Sequence, residues 1–277
     1  MQMLSRELLG ADVILPHFPI LKSIRGVGIS DSADYATRLA TVFDYKNTEY
    51  DRAPRLDIMQ PNEREFGTYD FITCSEVLEH VVAPADVAFS NLFRLLKPNG
   101  VLLMTVPYAP QGQTLEHFGP MDNFGLAKVG GQAVLVRRKP EGGYEVFDNL
   151  VFHGGSGSTL EMRVFSERDL REQVLQAGFS SFEIYSDNCP EFGVLHDETW
   201  SLPGAARKGA FALDGLAIKG WAEQWATLKQ REESSWAMSL ERAVKASPEL
   251  QSARARIGGL HAGLRALGTA LLFRARR

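Results

Sequence analysis

Apolar residues along the middle of the chain recur with two spacings that take turns. "IRGVGIS" (residues 24–30), "RLDI" (residues 55–58), "YDFITCS" (residues 69–75) and "VLLMTV" (residues 101–106) are short runs of the strand kind. The last is apolar without a break, as a strand covered on both faces should be. Segments with helical spacing lie between them. "DSADYATRLATVF" opens with Asp31 and Ser32, both able to cap a helix. "APADVAFSNLFRLL" brings Val87, Leu92, Leu95 and Leu96 onto one side and stops at "KPNG". "SERDLREQVLQAGF" starts at Ser166 and ends at Gly178, and "SFEIYS" and "WSLPGAARKG" read as two further strands. Strands alternating with helices imply parallel pairing and helices on both faces, an α/β fold. Ligands of such sheets sit beyond the carboxyl ends of the strands, which directs attention to Ser30, Asp57, residues 74–76 and Tyr108.

The alternation fails in two places. Residues 109–160 form a long insertion at the carboxyl edge of the sheet, with a β-hairpin expected around residues 140–143. Insertions there commonly carry substrate recognition. Beyond residue 210 the pattern becomes helical, so the expected division is a domain over 1–210 and a helical extension over 211–277. In the tail, Leu250, Ile257, Leu260, Leu264, Leu267 and Leu271 keep helical spacing among six arginines. Four interspersed glycines each cost a helix about 1 kcal/mol relative to alanine, so the tail suits packing on a partner better than a solitary coiled coil. A homo-oligomer contact and a peripheral seat on anionic lipid are both open to such a basic helix.

Composition narrows the classes. With 277 residues, 44% hydrophobic and 23% charged, the chain has the make-up of an ordinary globular protein. A net charge of -4 gives no global basic field, so general nucleic-acid binding is not expected. Two cysteines are too few for a disulfide framework or structural zinc. Charges close behind the first residues and the lack of a long apolar run predict neither signal peptide nor membrane span, hence a cytoplasmic place, membrane-peripheral if the tail binds lipid.

"FGTYDFITCSEVLEHVVAPADVAFSNLFRLLKPNGVLLMTVP" resembles the central block of class I S-adenosylmethionine-dependent methyltransferases, spacing included. The resemblance implies a Rossmann-like sheet, S-adenosylmethionine as cofactor and methyl transfer as the reaction. It also implies an acid near the end of the second strand for the ribose; with "IRGVGIS" taken as that strand, Ser30 and Asp31 stand there, Asp31 serving as either ribose contact or helix cap. Asp57 with Ile58 falls where the family contacts adenine, Asp57 being alternatively a turn residue. Cys74 and Ser75 end the strand that faces the methyl donor.

The family's glycine-rich first turn is missing. Taking residues 11–15 as the first strand leaves "PHFPILKS", too short for a crossover of about a dozen residues. The first βα unit is therefore expected to be shortened. Similar "ILP-FP", "RG-G-SD" and "HGG-GSTLEMR-FSE" signatures occur in a bacterial branch of methyltransferase-like proteins that this chain resembles.

Glu76, Glu79 and His80 would share one face if a helix followed residue 75. That trio is similar to the "E-x-x-E-H" of metal-dependent O-methyltransferases, which implies a divalent ion such as Mg2+, set against a purely hydrogen-bonding cluster. His80, His117 and His153 are candidate general bases or substrate contacts, each equally readable as a loop histidine. Glu161 and Arg163 are substrate contacts or a structural pair. The functional expectation is O-methylation of a hydroxylated small molecule or glycan. The alternative is a non-catalytic scaffold of the same fold.

Overall fold

A computed structural model describes residues 1–210 apart from 11, 120, 122, 154–158, 191 and 192, and beyond them residues 227, 230, 234, 238 and 242, all five helical. The chain divides into two units, Met1–Asp214 and Gly215–Arg277. The leucine-spaced basic tail lies outside the described residues.

The first unit begins with helix α1 (Gln2–Leu9), and strand β1 (Leu21–Ile29) then leads through helix α2 (Ala33–Val42) into strand β2 (Phe43–Thr48). Strand β3 (Tyr69–Ser75), helix α3 (Asp86–Leu95) and strand β4 (Leu96–Thr105) follow. The insertion holds β5 (Tyr108–Ala109), β6 (Leu115–Glu116), β7 (Phe124–Val129), β8 (Gln132–Arg138), β9 (Tyr144–Phe147), β10 (Phe152–His153), β11 (Thr159–Leu160) and β12 (Arg163–Ser166). Helix α4 (Glu167–Gln176), β13 (Ser181–Ile184) and β14 (Gly204–Arg207) close the unit.

The main sheet runs β13-β14-β4-β3-β1-β2. Strands β1 to β4 are mutually parallel, while β14 is antiparallel to β4 and β13 antiparallel to β14. One face is sealed by α3 and α4: Val27, Ile72, Leu102 and Phe165 pack with Phe89, Leu92, Leu170 and Val174, all at most 1% exposed. On β1 the alternate positions Gly26 and Gly28 leave room on the other face for Phe71 and for Tyr45 with Asp31. Ser32 caps α2 by accepting the Asp34 amide at 3.3 Å, and Ser166 caps α4 by accepting that of Asp169 at 3.1 Å.

Two sequence expectations are overturned. Residues 12–14 form no strand and Leu15–His17 a single 3-10 turn, so "IRGVGIS" belongs to the first strand, not the second. The first βα unit is consequently complete, with α2 as its crossover, rather than shortened. The true second strand was missed although Phe43 and Tyr45 alternate with Asp44 and Lys46, a period-two signal. "RLDI" is no strand either: it contributes an isolated bridge between Glu49 and Arg55. The expected hairpin is present as the β8–β9 turn, extended by β7 into a three-stranded meander.

The chain leaves β1 toward β2 on one side and returns to β3 on the other. That reversal makes the carboxyl ends of β1 and β3 the switch point of the sheet, the usual ligand position in such folds. The insertion is tied to this edge by a second apolar cluster, in which Phe118, Leu135, Leu160 and Met162 meet Val82 from the turn after β3. Among the described residues no helix is long and apolar enough to cross a membrane.

Candidate active site

The turn after β1 forms the first wall. Ser30 adopts φ 56, the left-handed region usually left to glycine, and its amide donates to the Thr48 carbonyl at 2.7 Å. Asp31 turns inward instead of capping α2 and is 6% exposed. Its carboxylate accepts the Tyr35 hydroxyl at 2.8 Å and the hydroxyls of Tyr45 and Thr73. Asn47 clamps the backbone, accepting the Asp31 amide at 3.0 Å and donating to its carbonyl at 2.8 Å.

Burial pushes the Asp31 carboxyl above its usual range, and the three hydroxyls only partly oppose this. The folded-state value thus exceeds the unfolded one, so the associated stability is complete below the unfolded value of about 3.9 and declines as pH rises through the folded value. Asp31→Asn removes that titration. Thermal melts across pH 4–7 should therefore show a steeper loss in the parent protein than in the variant, and parallel curves would refute the assignment.

The tip of β3 forms the second wall. Cys74 is fully buried, its thiol held well above its usual value mainly by desolvation, so it acts as a packed residue. Ser75 ends the strand half-buried, and Glu76 follows with φ 53. That left-handed residue breaks any regular helix, and Leu78–His80 forms a 3-10 turn instead. Glu76 faces away, accepting the Ser201 hydroxyl at 2.7 Å. The expected trio of Glu76, Glu79 and His80 on one helical face therefore does not assemble, and nothing else supports magnesium there.

What does assemble is a cluster the sequence scattered over residues 79–161. Glu79 is fully buried. His80 Nε2 lies 3.4 Å and His153 Nδ1 3.6 Å from its Oε1. Glu161, 6% exposed, bridges two imidazoles, His117 Nε2 at 2.7 Å from Oε1 and His153 Nε2 at 2.7 Å from Oε2. Arg163 pins the cluster from beneath, donating to the carbonyls of Leu78 at 2.9 Å and Val81 at 2.7 Å and to Glu116 at 2.7 Å. Glu161 and Arg163 are thus not each other's partners. Burial raises the Glu79 carboxyl to about 8 and lowers His80.

Residues 22–183, more than half of the chain, match the profile of a family described as a methyltransferase domain. The chain belongs to the class I S-adenosylmethionine-dependent methyltransferase family. A probable S-adenosylmethionine-dependent methyltransferase of Mycolicibacterium smegmatis is 31% identical over 150 residues, covering 50% of this chain and 56% of that protein. The ubiquinone biosynthesis O-methyltransferase of Burkholderia vietnamiensis is 35% identical over 77 residues, 28% of this chain and 32% of its own. The chain therefore spans about half the length of the first of these relatives and about a third of the second. Solved structures similar to it include the Burkholderia thailandensis 1,6-didemethyltoxoflavin-N1-methyltransferase (15% identity, TM-score 0.41, 69% of this chain and 72% of that one). Another is a methyltransferase of Clostridium acetobutylicum (14%, TM-score 0.41, 75% and 97%).

Within this chain the expected cofactor residues fall at different depths. Ser30 is exposed on the first turn, and Asp57 is half-buried in the turn after the Glu49–Arg55 bridge. There Asp57 Oδ1 accepts the Met59 amide at 2.9 Å, while Oδ2 stands 3.5 Å from Arg55. Ile58 is 4% exposed and packed into the core, and its carbonyl accepts the Asn91 side-chain amide at 2.9 Å. Since "IRGVGIS" is the first strand, the acid following the second is Glu49, which the sequence reading passed over. Its carboxylate is met by Arg52 at 3.3 Å.

Proposed function

We propose that this protein transfers the methyl group of S-adenosylmethionine to a hydroxyl of a small molecule or glycan. The carrying observation is the position of the imidazole–carboxylate cluster: Glu79 and His80 stand on the turn that leaves the tip of β3, at the switch point of the sheet. In the transfer the acceptor oxygen forms a bond to the methyl carbon as the carbon–sulfur bond breaks, and the hydroxyl proton must leave. His80, His117 or His153 supplies a base for it, with Glu161 orienting the last two. The cofactor supplies an activated methyl group on a sulfonium. Ser30 and the α2 amino end would hold its methionine end, Ser75 would stand by the reacting methyl, and Asp57 and Glu49 would take the nucleoside. The name of the ubiquinone O-methyltransferase relatives is in keeping with an oxygen acceptor.

A scaffold reading is favoured by one feature, the Asp31, Tyr45 and Thr73 side chains that fill the space beside Gly28. Calorimetric titration of the full chain with S-adenosylmethionine and its demethylated product separates the two. Saturation in the micromolar range is expected, and absence of heat up to millimolar would establish the scaffold. Asp57→Ala removes one carboxylate acceptor, about 1.5–3 kcal/mol for a charged hydrogen bond, and should weaken binding by roughly tenfold or more. Undiminished affinity would remove Asp57 from the site.

A further inference from the structure

A chain of hydroxyls joins the two walls of the switch point. Tyr35 stands on the first turn of α2, and its hydroxyl donates to Asp31 Oδ1 at 2.8 Å. Asp31 is 6% exposed, and its other oxygen is met by the Tyr45 and Thr73 hydroxyls. Three hydroxyl donors around one carboxylate are the complement of its ionised form, which has lone pairs and no proton to give. On its far side the Tyr35 oxygen is hydrogen-bonded by the Ser75 side chain in the sense that favours the phenolate, so Ser75 is the donor. The Ser32 amide approaches the same oxygen.

The proton order along this chain is therefore set from its buried end. Asp31 takes the Tyr35 proton, Tyr35 takes the Ser75 proton, and Ser75 has only lone pairs left for the space at the tip of β3. While Asp31 is ionised it has no proton to return, so the order does not reverse. Hydrogen bonds aligned in this way polarise one another, and part of the Asp31 charge is felt at Ser75 Oγ. A polarised acceptor in a shielded setting favours a cation over a neutral ligand, because the contact is screened less than in water. Cofactor and product differ in that respect: S-adenosylmethionine carries a sulfonium charge, S-adenosylhomocysteine a neutral thioether.

We propose that Tyr35 and Asp31 make the site selective for the cationic cofactor over its neutral product, by holding Ser75 as a hydrogen-bond acceptor toward the reacting methyl. Tyr35 and Asp31 are positioning residues, and Ser75 is the group that meets the ligand. Transfer removes the charge from sulfur, so the contact that draws the cofactor in no longer retains the product. The inference rests on the proposed function for the identity of the ligand and adds to it how product is told from cofactor.

The test is calorimetric titration of the full chain with S-adenosylmethionine and, separately, with S-adenosylhomocysteine, read as the ratio of the two affinities. Tyr35→Phe keeps the ring and leaves the Ser75 proton free to turn toward the ligand. It should lower the affinity for S-adenosylmethionine about tenfold, the scale of a hydrogen bond to a charged group, and leave that for S-adenosylhomocysteine within about twofold. Asp31→Asn keeps the shape, removes the charge and should shift the ratio the same way; it decides the matter if circular dichroism shows Tyr35→Phe unfolded. Tyr45→Phe is the comparison, since Tyr45 is 8% exposed, bonds Asp31 from the buried side and stacks on Phe71. It should change both affinities alike and keep the ratio. A parental ratio in folded Tyr35→Phe or Asp31→Asn, or an equal shift in Tyr45→Phe, overturns this inference alone. Failure of both ligands to bind the parent protein removes the proposed function, and this inference with it.

Discussion

Arg163→Ala is expected to lower the unfolding free energy by about 2–5 kcal/mol, the range for truncating a large, fully buried side chain. Arg163 is completely shielded from solvent, and its guanidinium is the junction of three segments. From β12 it reaches the carbonyls of Leu78 and Val81 on the turn after β3 and the carboxylate of Glu116 on β6. Truncation leaves the Leu78 and Val81 carbonyls without their donor and opens a cavity, while Glu116, 39% exposed, returns to water. Arg163→Lys should recover little, because a single ammonium cannot reproduce a fork that donates from both Nε and Nη1. Denaturant titration reads the effect directly. A loss below about 1 kcal/mol would mean that the turn carrying Glu79 and His80 is held by other contacts, and the site would need a different anchor.

The second large effect is expected at Gly28. A Cβ there would stand 2.0 Å from the Tyr45 hydroxyl oxygen, 2.5 Å from Asp31 Oδ2 and 2.7 Å from Asn47 Oδ1. All three belong to the network that fixes the β1–α2 turn, so the added methyl cannot be accommodated by moving one side chain. Gly28→Ala should cost about 1–3 kcal/mol, the range for overpacking a filled site. If the β1–α2 turn holds the cofactor as proposed, Gly28→Ala should also weaken S-adenosylmethionine binding more than tenfold, because the turn is displaced with Asp31. Gly125→Ala is the control, since nothing lies within 4 Å of its Cβ position, and it should stay within about 0.5 kcal/mol. Equal affinities for the Gly28 and Gly125 variants would show that the Asp31 network does not shape the cofactor site.

Both effects fall on residues whose importance was only partly legible. In the sequence Gly28 is one letter of a strand, and its glycine character has no meaning until β2 and β3 are set beside it. In "LEMR" Arg163 and Glu161 look like a pair along the chain; in β12 and two residues before it they point to different partners. Along the chain His80, His117 and His153 stand far apart. His117 and His153 share Glu161 only because β6 pairs with β12 and β10 with β11, contacts that span 44 residues in the case of His117 and Glu161.

By itself the sequence determined the α/β alternation, the positions of β3, α3, β4, α4, β13 and β14, the hairpin in the insertion and the family. These depend on the period of apolar positions and on caps and breakers, which act within a few residues of one another. The tertiary structure alone decided which strand comes first, because strand rank is a matter of lateral pairing and no local signal records it. It also decided that Asp31 turns inward, that Glu76 leaves the cluster and that His153 joins it. Each depends on a single backbone angle or a distant hydrogen bond, and neither leaves a period in the chain.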